Sequence, residues 1–227
     1  MSMFNPFKDR KLPLTDKWLD NLKKDLEESY LKYSEPWKQA GFVEDETAWV
    51  ALRKPIVDCV EKSGTFLDIE CSNGYLLECL LKWSAERGIK LTPYGIDLSE
   101  KLIAVAKTRL PDHPANFVVG NAMKWSSPIK YDYVRTELGY VLDESQEQYL
   151  QAVFSNFLDT GGKLIVTEYR TKKQNSKEPW STDKLINWDF DIVKKTATVY
   201  EKKELLRIVV LARKPGSGGA AVAAPTK

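Results

Sequence analysis

The chain has 227 residues, 43% of them hydrophobic, and a formal net charge of +2. That length and apolar fraction suffice for one sizeable core without disulfides or structural metals, and so mild a charge does not point to nucleic acid. No apolar run reaches the ~18–20 residues of a spanning helix, and the start MSMFNPFKDRK lacks the apolar centre of a signal peptide. Cys59, Cys71 and Cys79 are an odd number without metal-ligand spacing and read as free thiols. A cytoplasmic, non-membrane protein is the expectation.

Residues 1–13 read as a loose arm. From Thr15, the residues Trp18, Leu19, Leu22 and Leu26 recur at three-to-four spacing, which predicts an amphipathic helix to about Leu31. The stretch 33–50 is aromatic and broken by Pro36 and Gly41; a second helix is expected over 46–61. Short β-rich runs then alternate with helical patterns: strand 65–69, helix 75–87, strand 92–96, helix 99–109, strands 116–119 and 131–135, helix 146–159, strand 163–168. That alternation is βαβ grammar and predicts a largely parallel sheet. Ser145 with Gln148 predicts a capping box, and Thr160-Gly161-Gly162 a helix end. A polar insertion at 171–183 is followed by 190–199 and 204–212, joined by YEKK as an antiparallel edge hairpin whose lysines protect the edge. The tail 214–227 is too rich in small residues to build a core. Residues 170–177 carry four basic and no acidic groups, and 194–214 seven basic against two acidic; a solvated surface and attraction of an anionic substrate both fit.

Chemistry concentrates at the predicted carboxyl ends of the strands. LDIECSNGY places Asp68 at the end of the first strand and Gly74 at the start of a helix, where α/β sheets hold nucleotide-like ligands or simply turn. YGIDLS places Asp97 and Leu98 at the end of the second strand; Asp97 either accepts ribose hydroxyls or caps the next helix with Ser99. GNAM supplies Asn121, Ala122 and Met123 after the third strand, as an adenine edge or a plain Asn turn. The loop lacks the glycines of a dinucleotide fingerprint, which argues against a dehydrogenase; no G-x-S-x-G elbow is present, and His113 lies in a turn, LPDHPA. Clustered acids and histidines of a metal site cannot be assembled.

The strand order, the paired acids and the terminal hairpin resemble the class I S-adenosylmethionine-dependent methyltransferases over roughly residues 50–212. The likeness rests on LDIECSNGY, YGIDLS, GNAMKW, YDYVRTELGYV and GGKLIVTEYR. It implies a Rossmann-like, seven-stranded, mostly parallel sheet with a C-terminal antiparallel hairpin and an N-terminal helical cap. It divides the chain into an arm, helix and lid candidate (1–49), a methyltransferase-like domain (50–213) and a flexible tail (214–227). By position, Asp68, Glu70, Cys71 and Gly74 would lie beneath the methionine part of S-adenosylmethionine, Asp97 and Leu98 at the ribose, and Asn121, Ala122 and Met123 at the adenine, with Met123 or Trp125 over the ring. Glu70 and Ser72 depart from the family's glycines. Glu70 adds a Cβ and a carboxylate beside the cofactor's own carboxylate, so the cofactor is excluded, the loop shifts, or another ligand is served.

Methyl transfer is a direct displacement that depends chiefly on alignment. Glu137 and Tyr140 are the candidates for orienting the acceptor or taking its proton, against roles in capping and wall packing; Glu168-Tyr169-Arg170 comes second. Tyr33, Trp37, Phe42 and Trp49 form a lid or pack the N-terminal helix on the sheet. The expected substrate is a small molecule. The rivals are a non-catalytic scaffold, which Glu70 favours, and an RNA or protein methyltransferase, which a continuous basic surface would favour.

Overall fold

A computed structural model describes residues 16–171, 179–188 and 190–212. The expected arm, the tail and the basic core of the 170–177 stretch lie outside these residues. Seven strands form one sheet in the order β3-β2-β1-β4-β5-β7-β6. They are β1 (Gly64–Ile69), β2 (Leu91–Asp97), β3 (Phe117–Val119), β4 (Tyr131–Glu137), β5 (Leu158–Tyr169), β6 (Asp191–Tyr200) and β7 (Lys203–Ala212). Strands β1 to β5 pair in parallel, whereas β7 runs antiparallel to both β5 and β6. This is the expected fold class.

The central strands are buried on both faces, so their sequences are continuous rather than alternating: Phe66 to Ile69 and Leu164 to Val166 are all enclosed. One face carries α3 (Glu46–Arg53), α4 (Tyr75–Ala85) and α5 (Glu100–Arg109), closed by Trp49, Leu52, Leu77, Leu80 and Ile103. The other carries α6 (Gln146–Phe157), with Tyr149, Leu150, Val153 and Phe157 under β4 and β5. The outermost strand, β6, exposes Lys194 and Lys195. Ahead of the sheet lie α1 (Asp16–Tyr30) and a single turn, α2 (Pro36–Gln39).

Three expectations are corrected. The helix predicted over 46–61 stops at Arg53 and tightens into a 3-10 segment, Lys54–Cys59, because Pro55 has no amide to give. Ser145 does not cap α6 through its side chain. Gln146 instead donates to the Leu138 carbonyl (3.2 Å) and Asp143 (3.1 Å), fixing the entry to the helix by another route. Gly161 does take a left-handed φ of 77°, but inside β5 rather than at a helix end. There the register against β4 shifts between Tyr131 and Tyr133, and Gly162 has no room for a Cβ, which would sit 2.8 Å from the Tyr131 carbonyl.

Candidate functional site

The site lies where β1, β2 and β4 end side by side. The loop after β1 keeps a glycine-type backbone although it lacks the glycines. Glu70 has φ 58° and Ser72 has φ 51°, both in the left-handed region that costs an L-residue about 1–2 kcal/mol. The loop therefore does not relax to suit its side chains. Its amides hold it down instead: Cys71 donates to the Ile96 carbonyl (3.1 Å), and Ser72 donates to Asp97 Oδ2 (2.8 Å). Gly74, φ 74°, opens α4, and a Cβ there would press on Ala106 Cβ at 3.0 Å, so this glycine sets how closely α4 and α5 approach.

Asp97 accepts two backbone amides, one from each flanking loop. One oxygen takes the Ser72 amide, and the other takes the Ser99 amide at 2.8 Å. Ser99, not Asp97, caps α5 by accepting from Leu102 N (3.1 Å). Each carboxylate oxygen still has a second lone pair. Burial pushes the Asp97 carboxyl up to about 6, against the pull of those two amides. Burial likewise raises Asp68 to about 7 despite its Arg135 partner. The half-buried Glu70 is raised well above its usual range, by burial first and then by Asp97 and Asp68. Three acids thus share one crevice and disfavour one another's charge.

Arg135 is the counterweight. From inside β4, only 4% exposed, it donates to Asp68 Oδ1 (3.2 Å), Tyr140 Oη (2.8 Å), Thr167 Oγ1 (3.0 Å) and Glu137. Tyr140 Oη also donates to Glu137 (3.2 Å). Burial works against the guanidinium charge, but Tyr140, Glu137 and Asp68 outweigh it and hold it protonated. The predicted pair Glu137 and Tyr140 is therefore brought together, joined to Asp68 through one buried cation. Sequence reasoning gave Arg135 no role. The available signal was a basic residue inside an otherwise enclosed strand, YDYVRTE, which must find acids when buried.

Of the second-choice trio, Tyr169 faces the same region, with the Arg53 guanidinium 3.6 Å from its ring centroid. Glu168 is committed elsewhere: its oxygens accept the amides of Ser181 (3.0 Å) and Thr182 (2.8 Å). Arg170 stacks on Trp180 at 3.9 Å. At the end of β3, Asn121 Oδ1 accepts from Met123 N (2.9 Å), forming an Asn turn. Ala122 is buried, while Val119 and Met123 are about half exposed and leave an apolar rim. Trp125 packs on Phe157, with centroids 5.3 Å apart, rather than standing over that rim. Leu98 is half-buried between Asp97 and Ser99.

The aromatic segment divides. Phe42 and Trp49 belong to the core, edge to face at 5.7 Å, whereas Trp37 and Tyr33 are half-buried. The segment nevertheless reaches the loop after β1. Ser72 Oγ donates to the Gln39 carbonyl (3.1 Å) and Asn73 Nδ2 to the Pro36 carbonyl (2.9 Å). Tyr30, at the end of α1, was also missed. Burial raises its phenol to about 12, helped by Asp97, Glu137 and Glu70, so α1 delivers it over the same crevice. Nothing in its local sequence distinguishes it from any inward-facing aromatic.

No protein-family model matches the sequence, and no curated protein matches it significantly. Solved structures do match in fold. Magnesium protoporphyrin IX methyltransferase of Synechocystis, with bound SAM, superposes with a TM-score of 0.59 at 17% identity, over 90% of this chain and 100% of that one. DhpI in complex with SAH gives 0.61 at 16% identity, over 89% and 100%. Phosphoethanolamine N-methyltransferase 1 of Haemonchus contortus, in complex with phosphoethanolamine and S-adenosylhomocysteine, gives 0.65 at 13% identity, over 90% of this chain and 51% of that one. At these identities the likeness establishes a methyltransferase-type fold. Among the described residues, no helix is long and apolar enough to cross a membrane.

Proposed function

We propose that the protein binds S-adenosylmethionine at the ends of β1, β2 and β3 and transfers its methyl group to a small molecule. The observation that carries the reading is Asp97. It stands at the end of β2, braced by the Ser72 and Ser99 amides, with acceptor capacity left for the two hydroxyls of a ribose. The fold neighbours that hold SAM or its demethylated product support it. The nucleoside half fits the residues present: Asp97 and Leu98 for the ribose, and the apolar rim at Ala122 and Met123, with Asn121, for the purine. Asp68, Cys71 and Gly74 would underlie the amino-acid half. Glu70 opposes that half's carboxylate while favouring its ammonium and sulfonium charges.

The bound cofactor would supply an electrophilic methyl group; the protein's work is placement. Arg135 fixes Glu137 and Tyr140 in one arrangement, so an acceptor proton can pass to the Glu137 carboxylate while the Tyr140 hydroxyl orients the acceptor. Tyr30 and Tyr169 would wall the space and exclude water.

One observation favours a second reading. The strained backbone and raised carboxyl at Glu70 suit a methyltransferase fold kept as a non-catalytic scaffold. Calorimetric titration of S-adenosylmethionine into the parent and into Glu70→Gly separates the two. Binding by the parent supports the enzyme. Binding by Glu70→Gly alone hands the lead to the scaffold, and silence from both removes the cofactor assignment.

A further inference from the structure

The chain ahead of α3, α1 included, is fastened to both walls of the crevice by polar contacts. On one wall, Ser72 Oγ donates to the Gln39 carbonyl (3.1 Å); Asn73 Nδ2 donates to the Pro36 carbonyl (2.9 Å) and to Gln39 Oε1 (3.3 Å). On the other, Glu27 of α1 accepts from Ser99 Oγ (2.7 Å) and pairs with Lys101 (3.0 Å). The Glu27 carboxyl is held below its usual range, its burial outweighed by those two partners. These ties meet the loops that follow β1 and β2, which the proposed cofactor would touch with its amino-acid half and its ribose.

The way this segment is held differs from the rest of the molecule. None of the four residues of α2 is fully buried; Trp37 packs partly against the core, and the other ties of the helix are polar. Immediately beyond it, Phe42 and Trp49 are only 6% and 2% exposed and anchor the chain in the core. Gly41, φ 78°, lies between the two regimes, where a Cβ would sit 2.6 Å from the Tyr30 hydroxyl. A segment held by a few hydrogen bonds and one half-buried ring, next to a fully buried anchor, opens more readily than the anchor does. The Ser72 tie also depends on a residue type. A glycine at this place, as in the loops that LDIECSNGY resembles, would have no hydroxyl to reach Gln39.

We propose that Ser72 and Asn73 are positioning residues that latch α2 over the crevice, so that release of the latch sets how fast the nucleoside ligand enters and leaves. This rests on the function proposed above. Ser72 thereby acquires a use that offsets its backbone strain, and the loop that contacts the ligand also senses the cap.

The latch is tested without ligand by hydrogen exchange at Lys38, Gln39, Ala40 and Gly41, whose amides close this turn on Glu35, Trp37 and Lys38 carbonyls. Ser72→Ala keeps an L-residue in the strained position and removes only the hydroxyl; Gln39→Ala removes one of the two acceptors of Asn73, together with the Gln39 side-chain bond to the Tyr33 carbonyl (2.7 Å), without touching the loop. Each should speed exchange at those four amides about threefold to tenfold, the worth of one hydrogen bond, and leave α6 unchanged. Unchanged exchange in both variants overturns the latch. With S-adenosylhomocysteine, followed by tryptophan fluorescence in stopped flow, association and dissociation should quicken together by a similar factor while affinity moves less. Faster exchange with unchanged ligand rates overturns the gating role. Failure of the parent to bind S-adenosylmethionine or S-adenosylhomocysteine at all overturns the function instead, and the exchange experiment still judges the latch.

Discussion

Among the described residues, two turns hold non-glycine residues at positive φ: Glu70 and Ser72 after β1, and Glu201 and Lys202 between β6 and β7. The second pair forms a two-residue hairpin turn, with Tyr200 opposite Lys203, of the kind that prefers Asn-Gly. Both of its residues are exposed, so their charges stay in contact with solvent. The first pair carries the same strain with a carboxyl pushed among two others, under a cap. Equal backbone costs therefore have unequal meanings. At the hairpin the strain is a tolerated choice of residue, whereas in the crevice it is bound up with charge, docking and the proposed ligand.

The sharpest way to break this contrast is to remove the guanidinium. Arg135→Met would leave Asp68 and Glu137 facing each other with no cation between them, and urea unfolding should show a loss of about 3–5 kcal/mol. No single change at the hairpin turn should approach that value.

A pH series comes next in size. Asp97 and Asp68 titrate near 6 and 7 in the fold against 3.8 as the unperturbed value, and Glu70 is raised as well. Between about pH 4 and 7 the folded state therefore holds more protons than the unfolded chain. Stability should fall as pH rises through that window, by an amount on the order of 4 kcal/mol between pH 5 and 8. Thermal unfolding of Glu70→Gln should show a flatter profile. A parent that gains stability over this range would show that the crevice acids are not mutually destabilising.

Smaller effects compare the turns directly. Glu70→Gly should stabilise by about 1–2 kcal/mol, relieving strain and repulsion together, and should tighten S-adenosylmethionine binding in calorimetry. Replacing Glu201 by Asn and Lys202 by Gly should gain about 1 kcal/mol in urea unfolding and leave ligand affinity where it was. If both changes altered affinity, the hairpin would be coupled to the site, and the comparison would fail.

The strands were legible because β-branched and aromatic runs bounded by turn residues carry their own period. The acids at 68 and 97 followed from the strands that end there. Ser145 misled because its hydroxyl pattern fits a capping box, while Gln146 found a better acceptor in the Leu138 carbonyl across a turn that only tertiary structure forms. Arg135 and Tyr30 were opaque for a related reason. Their importance lies in what three separate elements bring to them. The lid candidate at 33–49 could not be resolved as one object, since Phe42 and Trp49 serve the core while Pro36 and Gln39 meet the loop.

The position of β7 between β5 and β6 bears on how this chain comes off the ribosome. A nascent chain that has emerged as far as Tyr200 has made β5 and β6 but not the strand that joins them. The edge of β5, lined by Leu164, Ile165 and Val166, must wait with its backbone groups unpaired until residues 203–212 follow. The N-terminal half can pair β1, β2 and β3 early, whereas the half that completes the sheet is held open until residues 203–212 emerge. In that interval the bare strand edge is open to pairing with other chains.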